Sequence, residues 1–247
     1  MKKYIALFCF VIFFGCNSDK GWNCIQTSGT SIEQEIPLPP FEKILVWEQT
    51  KLFVEQGEMQ KVVVKTGKNL LPNVHLSVKE GLLKIRNENT CNWIRDYGNV
   101  EIYVTVPHVS EIRSSTGYGV ESVGLLKFPS LRLISEDAAG DYHTDGDFHM
   151  NLDVENLEIV ANGRSAFFLS GKASKANFGL YSGDCRVYSE DLIVDELSFF
   201  HRSTGPMIVN PQLSLKGKIV SIGDVISKNR PPIVEVEELY RGRLIFD

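Results

Sequence analysis

The chain is predicted to be all-β, a right-handed parallel β-helix-like solenoid of short-stranded coils, on three observations. Seven glycines in the second half close short apolar stretches and stand 18–23 residues apart: Gly117, Gly140, Gly163, Gly183, Gly205, Gly223 and Gly242. Self-similarity at that period is the signature of stacked repeats. From Phe41 onward, short runs alternate apolar and polar residues and end at Gly, Asn or Pro, which is the strand signal. No stretch of about eleven residues carries a helical stripe.

The N-terminus reads as a processing signal. Met1-Lys2-Lys3 is basic, and Tyr4 to Phe14 is an almost unbroken apolar run, shorter than the roughly 20 residues a bilayer span needs. Residues 1–15 are therefore expected to be a signal peptide. Gly15-Cys16 resembles a bacterial lipobox, although Phe13-Phe14 departs from its usual Leu-Ala or Leu-Ser pair. Cleavage there would leave Cys16 as a lipidated N-terminus, and simple secretion is the alternative. Residues 16–40 are polar and end in Pro37-Leu38-Pro39-Pro40, which suits a tether stiffened by its prolines. Residues 41–247 are the expected folded domain.

Export places the remaining cysteines in an oxidising compartment. Cys24 in the tether and Cys91 in a polar loop are the candidate pair. A bridge closing so long a loop is worth on the order of 4 kcal/mol in the chain-entropy model. Cys185 is then unpaired, and a small buried apolar role suits it. No Cys-x-x-Cys pair points to a metal. The formal net charge of −5 disfavours a nucleic-acid partner, which selects a basic surface.

In the first half the alternating runs are Ile44-x-Val46, Leu52-x-Val54, Val62-x-Val64, Val74-x-Leu76-x-Val78, Leu83-x-Ile85 and Val100 to Val106. In the second half each glycine is preceded by such a run, as in Leu157-x-Ile159-x-Ala161 or Ala176-x-Phe178-x-Leu180. Most are followed by a second apolar pair, such as Phe167-Phe168 or Ile208-Val209. The repeating unit reads as strand, glycine corner, strand, polar return. Glycine suits the corner through its access to positive φ and its missing Cβ. A unit of that size cannot bury its own apolar side, whereas stacked units bury a continuous ladder. Their parallel crossovers are expected to be right-handed. An antiparallel sandwich is the competing reading, and the sparse hairpin signals argue against it.

Val100 to Pro107 reads Val-Glu-Ile-Tyr-Val-Thr-Val-Pro and is followed by Ile112 and a Ser-Thr-Gly corner at Gly117. Phe41-Glu-Lys-Ile44, Gln56-Gly57, Asn69-Leu-Leu71, Gly81-Leu82, Asn89-Thr-Cys-Asn-Trp93, Ser182-Gly183 and Ile222-Gly223 complete the set. Together these motifs resemble the head GIN domain family, labelled "putative auto-transporter adhesin", over Pro39 to Asp247. The resemblance implies a right-handed β-helix-like solenoid on exported, often lipid-anchored proteins of Gram-negative bacteria.

Chemistry is sparse. Asp141, His143, Asp145 and Asp147 alternate oxygen and nitrogen donors around Gly146, a pattern a calcium loop could use. The bidentate glutamate of such a loop is missing, and a hydrated turn explains the run equally well. His143 and His149 are candidates for zinc without evident partners. Asp137, Asp153, Glu155 and Glu190 with Arg186 form no paired motif of the kind glycan-cleaving enzymes use. His201-Arg202-Ser203 reads as a surface corner. No nucleophile elbow, metalloprotease helix or phosphate loop is present.

Tyr118, Tyr142, Tyr181 and Phe200 lie near the corners and are candidate surface contacts, with internal packing as the alternative. The sequence thus predicts a non-catalytic binding, adhesion or scaffold module of the cell envelope, without a cofactor. Its partners would be the membrane through the lipid anchor and a glycan or protein ligand. The expected location is the outer membrane, facing the periplasm or the surface. A carbohydrate-active enzyme on the same scaffold and a self-associating envelope protein are the alternatives.

Overall fold

The computed structural model describes residues 25–89, 91, 93, 98–137 and 140–247. The second half sets the pattern. Strands β9 (Val120–Ser135), β10 (Phe148–Ala161), β11 (Ala166–Leu180), β12 (Arg186–His201) and β13 (Met207–Ile219) pair in parallel, each with the next. Phe148, Phe167, Val187, Met207, Val225 and Leu244 stand opposite one another. One coil therefore takes 18–20 residues, and the sequence period is a coil period. Val120 to Phe148 takes 28 because the connection between β9 and β10 is longer.

Each long strand bends once, where the ladder skips Pro129, Glu155, Ser174 and Asp195. Two successive exposed residues there switch the inward phase, as in Val154-Glu155-Asn156-Leu157. Proline fits because a residue without a ladder bond needs no N–H. The halves before and after the bend form two layers that face each other across one core. The predicted polar return is thus extended strand, running through residues such as Ser174 and Lys175 in β11.

The glycine corners close the third side. A Cβ on Gly183 would lie 2.1 Å from the Gly163 carbonyl oxygen, and one on Gly242 would lie 2.2 Å from that of Gly223. Among the seven periodic glycines, only Gly140 and Gly183 have positive φ. Close stacking of successive coils, more than backbone handedness, is what requires most of them. Ser135 Oγ and Ser165 Oγ meet at 2.6 Å inside this corner.

The first half departs from the predicted regularity. It comprises β1 (Ser31–Glu35), β2 (Lys43–Trp47), β3 (Lys51–Gln56), β4 (Lys61–Gly67), β5 (Val74–Lys79), β6 (Leu82–Asn87), β7 (Val100–Val106) and β8 (Glu111–Ser115). The first layer runs β1-β4-β7-β3-β9 and the second runs β5-β6-β2-β8-β9. Pairs β1–β4, β4–β7 and β5–β6 are antiparallel, so parallel winding is not universal. The β5–β6 hairpin turns at Glu80 and Gly81, whose φ values of 53° and 74° suit a primed turn matched to strand twist. Within the span 16–40 expected as a tether, Ser31–Glu35 is a strand of the sheet.

At the other end, β14 (Val225–Ser227) and β16 (Leu244–Phe246) extend the first layer, and β15 (Ile233–Glu238) extends the second. Inside, Phe148 stacks on Phe167 at 4.8 Å and 6°. Gly217 makes room for the Phe199 ring, which a Cβ would approach to 2.7 Å. His201 stands in the inward file Ser135, Ala161, Leu180, His201, Ile219 with 0% exposure. Ser203 is buried as well, so the expected surface corner there is an interior one.

Candidate functional site

Strand residues alternate between core and solvent, and parallel register places the outward residues of successive coils side by side. On the first layer this builds one file. Val63 neighbours Tyr103, then Phe53, then Glu121, then His149. Phe168, Tyr188, Ile208, Ile226 and Ile245 continue it. At ~4.8 Å per strand, the file runs about 40 Å along the solenoid.

Two ring stacks dominate it. Phe53 and Tyr103 stack at 4.7 Å and 11°. His149 stacks on Phe168 at 4.5 Å and 7°, and Phe168 on Tyr188 at 4.9 Å and 15°. Phe168 is 37% exposed although it is among the larger apolar side chains. Each stacked pair is worth about 0.5–1.5 kcal/mol beyond its buried area, so the file both stiffens the sheet and offers an apolar surface. Burial and the Glu101 side chain, whose carboxylate accepts the phenolic proton at 3.0 Å, hold the Tyr103 hydroxyl above its ordinary range.

Beside the second stack runs a polar row. The Asn151 amide N–H donates to Ser122 Oγ at 2.8 Å, and Ser170 Oγ donates to Asn151 Oδ1 at 3.4 Å. Asp191 pairs with Ser170 in register, and Asn210 Nδ2 donates to the Glu190 carbonyl at 3.0 Å. Glu190 Oε2 is shielded from solvent with no hydrogen-bond partner. Rings and row together line a shallow groove.

The sequence-predicted aromatic contacts lie elsewhere. Tyr142 stacks on Trp47 at 5.3 Å beneath the Arg113 guanidinium. Tyr181 covers Gly179, which a Cβ would bring within 2.7 Å of its ring, and stacks on Phe200 at 5.6 Å. Tyr118 is half-buried, and its amide N–H donates to Thr116 Oγ1. Tyr142 and the Tyr181–Phe200 pair thus lie in separate ring stacks. The outward file gives no signal of its own in the sequence because its members occupy ordinary alternating positions, one per coil.

The acidic loop behaves as a turn. Asp137 Oδ1 accepts the Gly140 and Asp141 amide protons, and Asp147 Oδ1 accepts that of Ala166 at 2.8 Å. The His143 amide N–H donates to Ser115 Oγ, and Asp145 is exposed. Among the described residues no group of three or more His, Cys, Asp or Glu side chains is placed to hold a metal. His149, the other zinc candidate, is stacked in the aromatic file.

The candidate catalytic carboxylates are dispersed. Asp153 is flanked by Lys127 at 4.0 Å and Lys172 at 3.3 Å, and Arg186 pairs with Asp184. Cys185 is a free, buried thiol pushed up to about 11 by burial, the opposite of a reactive cysteine. Cys91 is disulfide-bonded. Cys16 and Cys24 lie outside the described residues.

A β-helix-like module whose first layer carries an outward file of rings is the class these features define. The chain belongs to the head GIN domain family: residues 40–231 match the family described as "putative auto-transporter adhesin, head GIN domain". Its fold is similar to that of a putative adhesin from Bacteroides fragilis at 15% identity and TM-score 0.78, covering 90% of this chain and 100% of that one. A putative adhesin from Parabacteroides distasonis superposes at TM-score 0.63 and 15% identity, over 90% and 99% of the two chains. A protein of the same organism named as a putative lipid binding protein superposes at 0.62 and 16%, over 88% and 97%. No curated protein matches.

Proposed function

We propose that the chain is an exported, non-catalytic adhesion module of the cell envelope. It is anchored in the outer membrane by lipid on Cys16 and presents the outward face of its first layer to a glycan or protein. The observation that carries this reading is the file of rings and isoleucines, exposed in part along the whole solenoid. Soluble proteins seldom leave contiguous apolar surface uncovered without an interaction to use it. A flank of this kind suits adhesion because many weak contacts add along one extended surface.

A Cys24–Cys91 bridge would fasten the lipid-proximal segment to the first half of the fold, so that force on the ligand face reaches the anchor through a covalent staple. Family membership and the adhesin names of its structural neighbours support the same reading.

The test uses cells expressing the full chain. Wild-type cells should incorporate radiolabelled palmitate into the protein and be retained on wells coated with mucin, fibronectin or mannan. Cys16→Ser should abolish labelling and release the protein from the outer-membrane fraction. Equal retention of expressing and non-expressing cells on all three coatings would refute the adhesion role.

A further inference from the structure

We propose that the groove beside the His149–Phe168–Tyr188 stack binds an uncharged, hydroxyl-rich glycan chain lying along the solenoid axis, an assignment that rests on the adhesion reading above and narrows it. Charge gives the first argument. Glu190 and Asp191 line the groove, and no lysine or arginine does. Lys228, further along the same layer, is held by Asp247 and interacts more weakly with Glu190. A sulfated, sialylated or uronic acid polymer would meet like charge there, whereas a neutral glycan meets acceptors for its hydroxyl protons.

The second argument is an unmet acceptor. Glu190 Oε2 is shielded from water and has no donor, and a buried polar atom in that state asks for a partner. Glu190 lines the groove, so rotation of its carboxylate would turn this oxygen toward a sugar hydroxyl, a donor of the right kind.

Repetition is the third. Each strand step of ~4.8 Å presents another ring on one side and another polar side chain, Asn151, Ser170 or Asp191, on the other. That rise is comparable to one sugar unit, so a linear chain meets similar groups at successive residues. The rings stack face to face and turn their rims to the groove. They form a rigid apolar wall for the C–H face of the sugar, while the polar row takes its hydroxyls.

The groove on the second layer lacks this character. It is lined by Arg132, Lys175 and Lys216 as well as by Glu158 and Glu196, so cations stand among its carboxylates.

The test is a microarray of neutral and anionic glycans probed with the purified, fluorescently labelled full-length protein in detergent. Binding should concentrate on neutral glycans, weaken at least tenfold in Phe168→Ala and in Glu190→Ala, and persist in Tyr181→Ala. Circular dichroism checks that each variant is folded, and His149→Ala replaces Phe168→Ala if that one is not. Binding to anionic glycans alone, binding to none, or neutral binding indifferent to the groove variants would each overturn the assignment. Cell retention on mucin or fibronectin that survives such a result leaves the adhesion reading standing with a different ligand, whereas loss of retention as well removes both.

Discussion

The half of the protein before Ser115 and the half after Val120 share one core and are built on different logic. In the second half, one coil repeats at 18–20 residues, and parallel register stacks like positions. Phenylalanine stacks on phenylalanine inside, and aromatic on aromatic outside. In the first half, strands from distant parts of the chain interleave and three pairs run antiparallel. Even so, Tyr103 and Phe53 arrive in the same outward file as Phe168. The contrast teaches that the outward face is a property of the finished sheet, which repetition builds cheaply but does not alone explain.

The largest effect should come from inside the coils. Phe167→Ala removes a fully buried ring stacked on Phe148 and should cost about 4 kcal/mol in urea unfolding. Phe53→Ala, an outward ring of the first half, should cost about 1 kcal/mol. Similar losses at both sites would erase the distinction between core and face.

Two glycines with similar φ sharpen the contrast between halves. Gly183→Ala puts a Cβ 2.1 Å from the Gly163 carbonyl oxygen at φ 80° and should cost about 3 kcal/mol. Gly81→Ala at φ 74° meets nothing within 4 Å and should cost about 1 kcal/mol for handedness alone.

Acid should also act through the coils. Burial pushes the His201 imidazole from its ordinary 6.5 down to about 4, against a smaller opposing pull from the Gly223 and Gly205 backbone and from Asp224. Between those values the unfolded chain takes up the proton and the folded chain does not. Stability is therefore full above about pH 6.5 and falls by on the order of 3 kcal/mol on the way to pH 4. His201→Leu should flatten that slope in melts across the range. The smallest effect belongs to Lys216→Ala, which breaks an exposed ion pair with Glu235 and should shift unfolding by about 0.5 kcal/mol or less.

Much of the second half was legible because its constraints are local and repeated. The glycine period marks where coils approach too closely for a Cβ, as at Gly183 and Gly242. A second periodic signal went unread: Phe128-x-x-Leu131, Val154-x-x-Leu157, Ala173-x-x-Ala176 and Val194-x-x-Leu197 mark the bends, where two outward residues follow in succession. The polar pairs inside these motifs resemble loop composition, so bent strand read as polar return.

The interleaving of β2, β6 and β8 could not be read, because alternation fixes which face a residue takes and says nothing of which strand lies beside it. The outward file was hidden for the same reason. His149, Phe168 and Tyr188 are 19–20 residues apart and become neighbours only when the coil length is known to the residue. Tyr181 and Phe200 lie near corners, and Tyr181 covers Gly179.

The most direct test compares the two aromatic sites in one adhesion measurement. Cells expressing the full chain with Phe168→Ala and Tyr188→Ala should lose about tenfold in retention on the coating that holds wild type. Cells with Tyr181→Ala and Phe200→Ala, matched for surface level, should be retained as wild type is. Undiminished retention in the first pair, or an equal loss in both, would contradict the outward file as the contact surface.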